Sequence, residues 1–393
     1  MTLRDEIETV LRGWDAHERH RGATPLIDYD FFPRDGEVEP AGSRLEVFQR
    51  LSDLQDRLNG AADRYISSRL TADLAYLRAL MGERDPLSSY VAQTQGCAAG
   101  GWPPGYVTEV GALARDQLAA LGIPWDASTS ERWEKLEGPL TIDDAATAIR
   151  RAADEYAPAV RALVGTTAPF DLAIATVAVD AYWSYWLDGA GSAARLRLNL
   201  RHARFTEVLA RQFALHEVLG HALQGASLSA RAAHEDVPWV RLLSVHAPQQ
   251  VLFEGLAQAL PLFVAPEDKQ LAARVRVAHY LQLVRAELHL AVNSGASVSD
   301  CAHHARRRVP FWDDDQIADA LSDRGANPQL RSYLWSYPAG IDWFVRLADH
   351  ELTLGRDILR AAYRDPLTPT ELMAMWPDGP RIGGPGGSID LRP

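Results

Sequence analysis

The sequence predicts a mainly α-helical protein with one small β-hairpin placed directly before a helix that carries two histidines. Three observations carry that prediction. Apolar residues recur at three- and four-residue spacing over most of the chain, the period of an α-helix. One short segment, Arg195 to Leu200 (RLRLNL), alternates polar and apolar strictly, the period of a strand. The 393 residues are 47% hydrophobic and 23% charged, an ordinary globular composition with enough apolar material for one large or two medium cores.

The elements follow in order. Arg4 to His17 reads as an amphipathic helix, and the Pro-, Gly- and Asp-rich residues 19 to 42 as loop. Ser43 is placed to N-cap a helix in which Leu45, Phe48, Leu51, Leu54 and Leu58 share a face. Helix continues from about Ala61 to Met81. Gln95 to Tyr106 (QGCAAGGWPPGY) interrupts the pattern as a loop, and periodicity resumes over Val107 to Leu121 and Ile142 to Val164. The aromatic run Tyr182 to Leu187, the turn residues Asp188 to Ser192 and the strand Arg195 to Leu200 form the hairpin. Thr206 opens the next helix, and helical stretches recur near Gln249 to Val264 and Leu271 to Val292. The expected organisation is an N-terminal helical region (1–165), a metal-binding catalytic region (166–376) and an irregular tail (377–393).

Composition excludes several classes. A net charge of −12 repels phosphate backbones, so nucleic acid is not an expected partner. Two cysteines, Cys97 and Cys301, cannot build a disulfide framework or a Cys-rich zinc site. No apolar stretch approaches the ~20 residues of a membrane span, and MTLRDEIETVLRGW lacks the apolar core of a secretory signal. A cytoplasmic protein without membrane contact is the expectation.

The chemistry concentrates in Phe213 to Gln224 (FALHEVLGHALQ), which contains His-Glu-x-x-x-His: His216, Glu217 and His221. In the better-known His-Glu-x-x-His pattern the two histidines sit four apart on one helical face. Here they sit five apart, which on a regular α-helix rotates them by about 140°. A π-bulge would return them to one face, and Gly220 is the place expected for it. Two neutral imidazoles and one carboxylate leave zinc an open position for water. Glu217 then serves as general base. The third ligand is expected from a later helix. Glu254, in VLFEGLAQA, is a carboxylate among apolar neighbours, which is costly unless paired or metal-bound. Gln258, one turn on, is placed to hydrogen-bond it. His234, Glu235, Asp236 and His246 are the competing ligands.

These motifs resemble known peptidases. HEVLGH resembles the H-E-x-x-G-H motif of dipeptidyl-peptidase III, and HExxxH followed by EGLA resembles the tubulin tyrosine carboxypeptidases. HEVLGHALQ with FEGLAQ, and the later YLWSYPAGIDWFVRL, also resemble bacterial helical metallopeptidases with HExxPGHHLQ, which have one more residue between the histidines. The resemblance covers roughly residues 180 to 376. It implies a helical, gluzincin-type fold, zinc held by His216, His221 and Glu254, and Glu217 as base. The implied activity is hydrolysis of short peptides or amide-bonded small molecules. A lyase or tailoring enzyme using the same site, and a non-catalytic scaffold with a structural metal, are the alternatives.

Several further residues are candidates. Tyr337 is expected to donate a hydrogen bond to the oxyanion, with Tyr333, His234 and His246 as rivals. Arg346 or Arg331 is placed to hold a substrate carboxylate. The strand Arg195 to Leu200 offers an edge to an extended peptide. The Gln95–Tyr106 loop is a candidate lid. Cys301, His303 and His304 read as a solvated helix face.

Overall fold

The computed structural model describes residues 2–58, 64–179, 184–201 and 203–387. The N-terminal part holds α1 (Leu3–His20), β1 (Tyr29–Asp30), α2 (Arg44–Gln55), α3 (Arg64–Leu80), α4 (Leu87–Thr94), α5 (Pro104–Ala120), α6 (Thr129–Glu137), β2 (Pro139–Leu140) and α7 (Ile142–Val164). The sheet strands β3 (Asp171–Val177), β4 (Tyr185–Ala190), β5 (Ala193–Asn199) and β6 (Phe205–Thr206) follow. Then come α8 (Glu207–Phe213), a π-helix (Ala214–Ala222), α9 (Leu223–His234), β7 (Leu242–Leu243) and α10 (Gln250–Val264). The chain continues with α11 (Lys269–Asn293), α12 (Val298–Arg308), α13 (Asp314–Leu321), α14 (Pro328–Tyr333), α15 (Ser336–His350), α16 (Leu352–Ala362) and α17 (Pro369–Met375). The fold is mainly helical with a small mixed sheet, as the periodicity predicts.

Helix starts follow local capping chemistry. Ser43 accepts a hydrogen bond from the Glu46 N–H, and Thr206 accepts one from Leu209, each satisfying an orphan donor of the first turn. Thr2 and Asp5 form a reciprocal capping box on α1. The register of α2 differs from the expected stripe. Val47, Leu51 and Leu54 are buried, whereas Leu45 is 56% exposed. The start of the helix expected at Ala61, and Tyr182 of the hairpin, lie outside the described residues.

The sheet is larger than a hairpin. Strand order is β3-β5-β4-β1-β7, with β4 and β5 antiparallel and β3 parallel to β5. The turn is tighter than expected, because Asp188 to Ala190 belong to β4 and only Gly191 and Ser192 turn. Gly191 has φ +60°, a conformation that favours glycine. Two pieces were illegible locally. β3 lies in an apolar run without alternation, and β1 is two residues inside the loop at 19–42.

The largest hydrophobic cluster draws on both halves of the chain, from Tyr29 and Val107 to Trp343 and Ile382. The tail after α17 is part of this packing. Gly100 and Gly101 donate to the Gly383 carbonyl, and Gly386 donates to that of Gly101. Ile382 is buried.

Candidate metal centre and cleft

The sequence requires a widened turn between His216 and His221, and the chain provides one. Residues Ala214–Ala222 are π-helical, and the Leu223 N–H donates to the Val218 carbonyl, five residues back. Hydrogen bonding at that spacing stacks residues five apart. The Nε2 atoms of His216 and His221 consequently lie 3.2 Å apart. Gly220 serves this stretch by its size. A Cβ there would meet the Ala257 Cβ at 2.8 Å, so its absence lets α10 pack directly on the π-helix. The Tyr363 hydroxyl donates to the Leu219 carbonyl, satisfying a backbone acceptor within the widened turn.

That close packing delivers Glu254. Its Oε2 lies 3.7 Å from His216 Nε2 and 3.9 Å from His221 Nε2. Glu217 approaches from the histidine helix itself, with Oε1 3.6 Å from His216 Nε2. Two carboxylates thus flank one pair of imidazoles, and His216, Glu217 and His221 offer ligand atoms within 4.8 Å of one another. Glu254 differs from Glu217 in one respect. Its Oε2 is buried and accepts no hydrogen bond from any described residue.

On the opposite side α10 crosses α15 at a glycine pair. A Cβ on Gly255 would meet the backbone of Gly340 at 2.5 Å. The crossing brings two phenols to Glu254. Tyr333 donates to Glu254 Oε1 at 2.6 Å, and its oxygen lies 2.8 Å from the Tyr337 hydroxyl. Gln258 does not take the expected place, because its amide donates to the backbone carbonyl of Glu254 at 3.0 Å.

Burial governs the electrostatics of these groups. Burial pushes Glu217 up to about 8, helped by the Glu254 charge. Burial also raises Glu254 to about 7, although the tyrosine hydrogen bonds work against it. Burial lowers His216 to about 4 and His221 well below its ordinary value. Both imidazoles are therefore neutral near pH 7, the form that ligates metal.

These groups open into a cleft of about 610 Å³ lined also by Asp28, Tyr29, Tyr185, Gln282 and Arg285. Asp28 is raised well above the carboxylate range by burial and by the charges of Asp15, Glu254 and Asp188. The β4 residues Tyr185 to Leu187 line the cleft as well. On the side away from β5, β4 pairs with β1 at Gly189 and Ala190. The expected edge strand, β5, is covered on both sides by β3 and β4.

Other expectations are corrected by position. His246 is buried against Asp73 and stacked on Tyr76. His234 ends α9, Glu235 pairs with Arg231, and Asp236 pairs with Arg4; none of these lines the cleft. Arg331 holds Asn293 and the Asp85 carbonyl, and Arg346 covers the Tyr106 ring. The Gln95–Tyr106 segment is no lid: Trp335 donates to the Ala98 carbonyl, Trp102 donates to Asp342, and no residue of the segment lines the cleft. The α12 face is only partly solvated, since Cys301 is buried and His304 pairs with buried Glu287. Sequence reading missed Arg285, Asp28 and Tyr185. The signal for Arg285 was weak, because Arg276, His279 and Gln282 share its helix and no local pattern sets it apart.

No family model matches the chain, and no curated protein matches it. Among solved structures, it is similar to a protein of Colwellia psychrerythraea assigned as a lipoprotein, with a TM-score of 0.52 and 13% identity over 86% of this chain. The chain spans 58% of that protein's length. It also overlaps the M32 carboxypeptidase from Deinococcus radiodurans R1, with a TM-score of 0.38 and 15% identity over 88% of this chain and 76% of that one. At 13% identity the first likeness concerns the fold alone. No described helix is long and apolar enough to cross a membrane.

Proposed function

We propose that the protein is a zinc-dependent hydrolase acting on short peptides or amide-bonded small molecules. The observation that carries this reading is the buried, partnerless Oε2 of Glu254 facing two neutral imidazole nitrogens. A buried carboxylate oxygen without a partner is costly, and a divalent cation removes the cost. Two histidines and one carboxylate suit zinc, and the three atoms converge from two helices on one point.

In this reading His216, His221 and Glu254 hold the metal, and Tyr333 fixes the Glu254 carboxylate through Oε1. Zinc, when bound, supplies Lewis acidity toward a carbonyl and toward water. Glu217, whose Oε1 lies 3.6 Å from His216 Nε2, accepts the proton of the attacking water and returns it to the leaving amine. Tyr337, which lines the cleft with its hydroxyl 2.8 Å from that of Tyr333, is the phenol we assign to the developing oxyanion.

The test is metal analysis combined with a peptide digest. Wild type should bind one zinc per chain, and Glu254→Ala should lose it. Glu217→Gln should keep the zinc and lose hydrolysis by about 10²–10⁴-fold. Wild-type zinc affinity in Glu254→Ala, or undiminished turnover in Glu217→Gln, rejects the assignment.

A further inference from the structure

We propose that Arg285 is the anion-holding group of this cleft, and that the substrate presents it with a carboxylate. The substrate identity rests on the hydrolase reading above; the anion subsite does not. Helix α11 turns Arg274, Ala278, Leu281, Gln282 and Arg285 into the cleft, a stripe at helical spacing. Of the three arginines lining the cleft, two are already engaged. Arg274 donates twice to Glu137 and lies 4.3 Å over the Trp133 ring. Arg324 donates to the Ala320 carbonyl and faces His289. Arg285 stacks 5.2 Å over Trp312, and among the described residues it has no hydrogen-bond acceptor and no ion-pair partner.

A guanidinium does not escape burial by losing its proton. Burial lowers the Arg285 pKa, and the neighbouring charge of Arg285 adds to the burial that lowers Arg324 to about 9. The pair is a positive field in need of an anion. Arg285 lines the same cleft as His216, Glu217, His221 and Glu254, so the anion subsite and the metal centre face one space. The arginine fork matches a carboxylate bidentately, with its flat face already held by an indole. A phosphate dianion suits the cleft less, because Glu217, Glu254 and Asp28 line it too.

The carboxylate is either the terminal one of a peptide or one on a side chain, and two measurements separate these sources. The first uses full-length, metal-free protein with 3-phenylpropanoate and its neutral amide, followed by tryptophan fluorescence. The acid should bind about tenfold or more tightly than the amide. Arg285→Gln should abolish the difference, and Arg285→Lys should keep part of it, which guards against misfolding of one variant. Equal binding of acid and amide by wild type, or an unchanged difference in Arg285→Gln, overturns the proposal. The second measurement uses zinc-loaded protein and acetylated peptides. One has a free C-terminus, one is amidated, and one is amidated with a glutamate beside the scissile bond. Preference for the free terminus assigns the terminal carboxylate, and preference for the glutamate assigns the side chain. In either case KM for the preferred acid should rise about tenfold or more in Arg285→Gln, with kcat little changed. Equal turnover of all three peptides by wild type overturns the proposal. No turnover of any peptide, with the acid–amide difference intact, rejects the hydrolase reading and leaves the anion subsite standing.

Discussion

The two tyrosines beside Glu254 illustrate how much one hydrogen bond decides. Tyr333 and Tyr337 look equivalent in sequence, both aromatic and four residues apart. In the structure Tyr333 donates to Glu254 Oε1, and Tyr337 meets the Tyr333 oxygen. Their removal should therefore have different signatures. Tyr333→Phe should weaken zinc affinity by about 10–100-fold, because a ligand loses the group that orients it. Tyr337→Phe should keep zinc affinity and lower kcat by about 10²–10³-fold, the usual cost of one oxyanion donor. Zinc titration and steady-state kinetics on both variants separate the roles. The reverse pattern would exchange the two assignments.

Among the elements, α10 is the one on which the candidate site depends. It is pressed between the π-helix at Gly220–Ala257 and α15 at Gly255–Gly340, with no room for an added Cβ on Gly220 or Gly255. Both neighbours of Glu254 in the site arrive through these contacts, the histidines from one side and the phenols from the other. Gly255→Ala should force α10 and α15 apart, since the obstructing atoms at 2.5 Å are backbone and cannot rotate away. The expected cost is about 1–3 kcal/mol of stability, together with weaker zinc binding. Thermal denaturation and metal titration read both effects, and wild-type values in both would contradict the tight crossing. The π-helix shows what was legible at this scale. The spacing of His216 and His221 demands one extra residue in a turn. Its extension over Ala214–Ala222 depends on outside support, including the Tyr363 hydroxyl at the Leu219 carbonyl.

At the scale of the molecule, charged and backbone contacts join distant parts of the chain. Asp5 and Glu8 of α1 both accept from Arg241, which lies just before β7. Although burial raises it, hydrogen bonds from Thr2 and the charges of Arg4 and Arg241 hold Asp5 down at about 2. A depressed carboxylate pKa contributes stability above the unfolded value of 3.8 that is lost as pH falls toward about 2. Asp5→Asn should thus destabilise the protein at neutral pH, and its deficit should shrink as the pH drops from roughly 5 to 3. Urea unfolding across that range checks it, and a deficit that stays constant would exclude the ion pair as its cause. The tail gives a second measurement. Truncation after Asp378 removes Ile382 and the Gly383 carbonyl that receives Gly100 and Gly101. The expected fall in Tm is about 2–4 °C per kcal/mol lost; an unchanged Tm would mean that the tail only rests on the surface.

The helical class, the hairpin before the histidine-bearing helix, the N-caps at Ser43 and Thr206, and the pairing of His216 with His221 can all be read in the sequence. These are short-range matters: periodicity, capping and turn chemistry act over a few residues and leave their mark in them. It also singled out Glu254, because a carboxylate in an apolar run is anomalous wherever it folds. Tertiary structure decided the rest. Only the packing of α10 brings the two tyrosines to Glu254, and only the sheet order shows that β5 is covered on both sides. Only the cleft shows that Arg285, one of many arginines, faces it with neither acceptor nor ion-pair partner among the described residues. Each of those outcomes depends on which distant surfaces meet, and no local pattern records that.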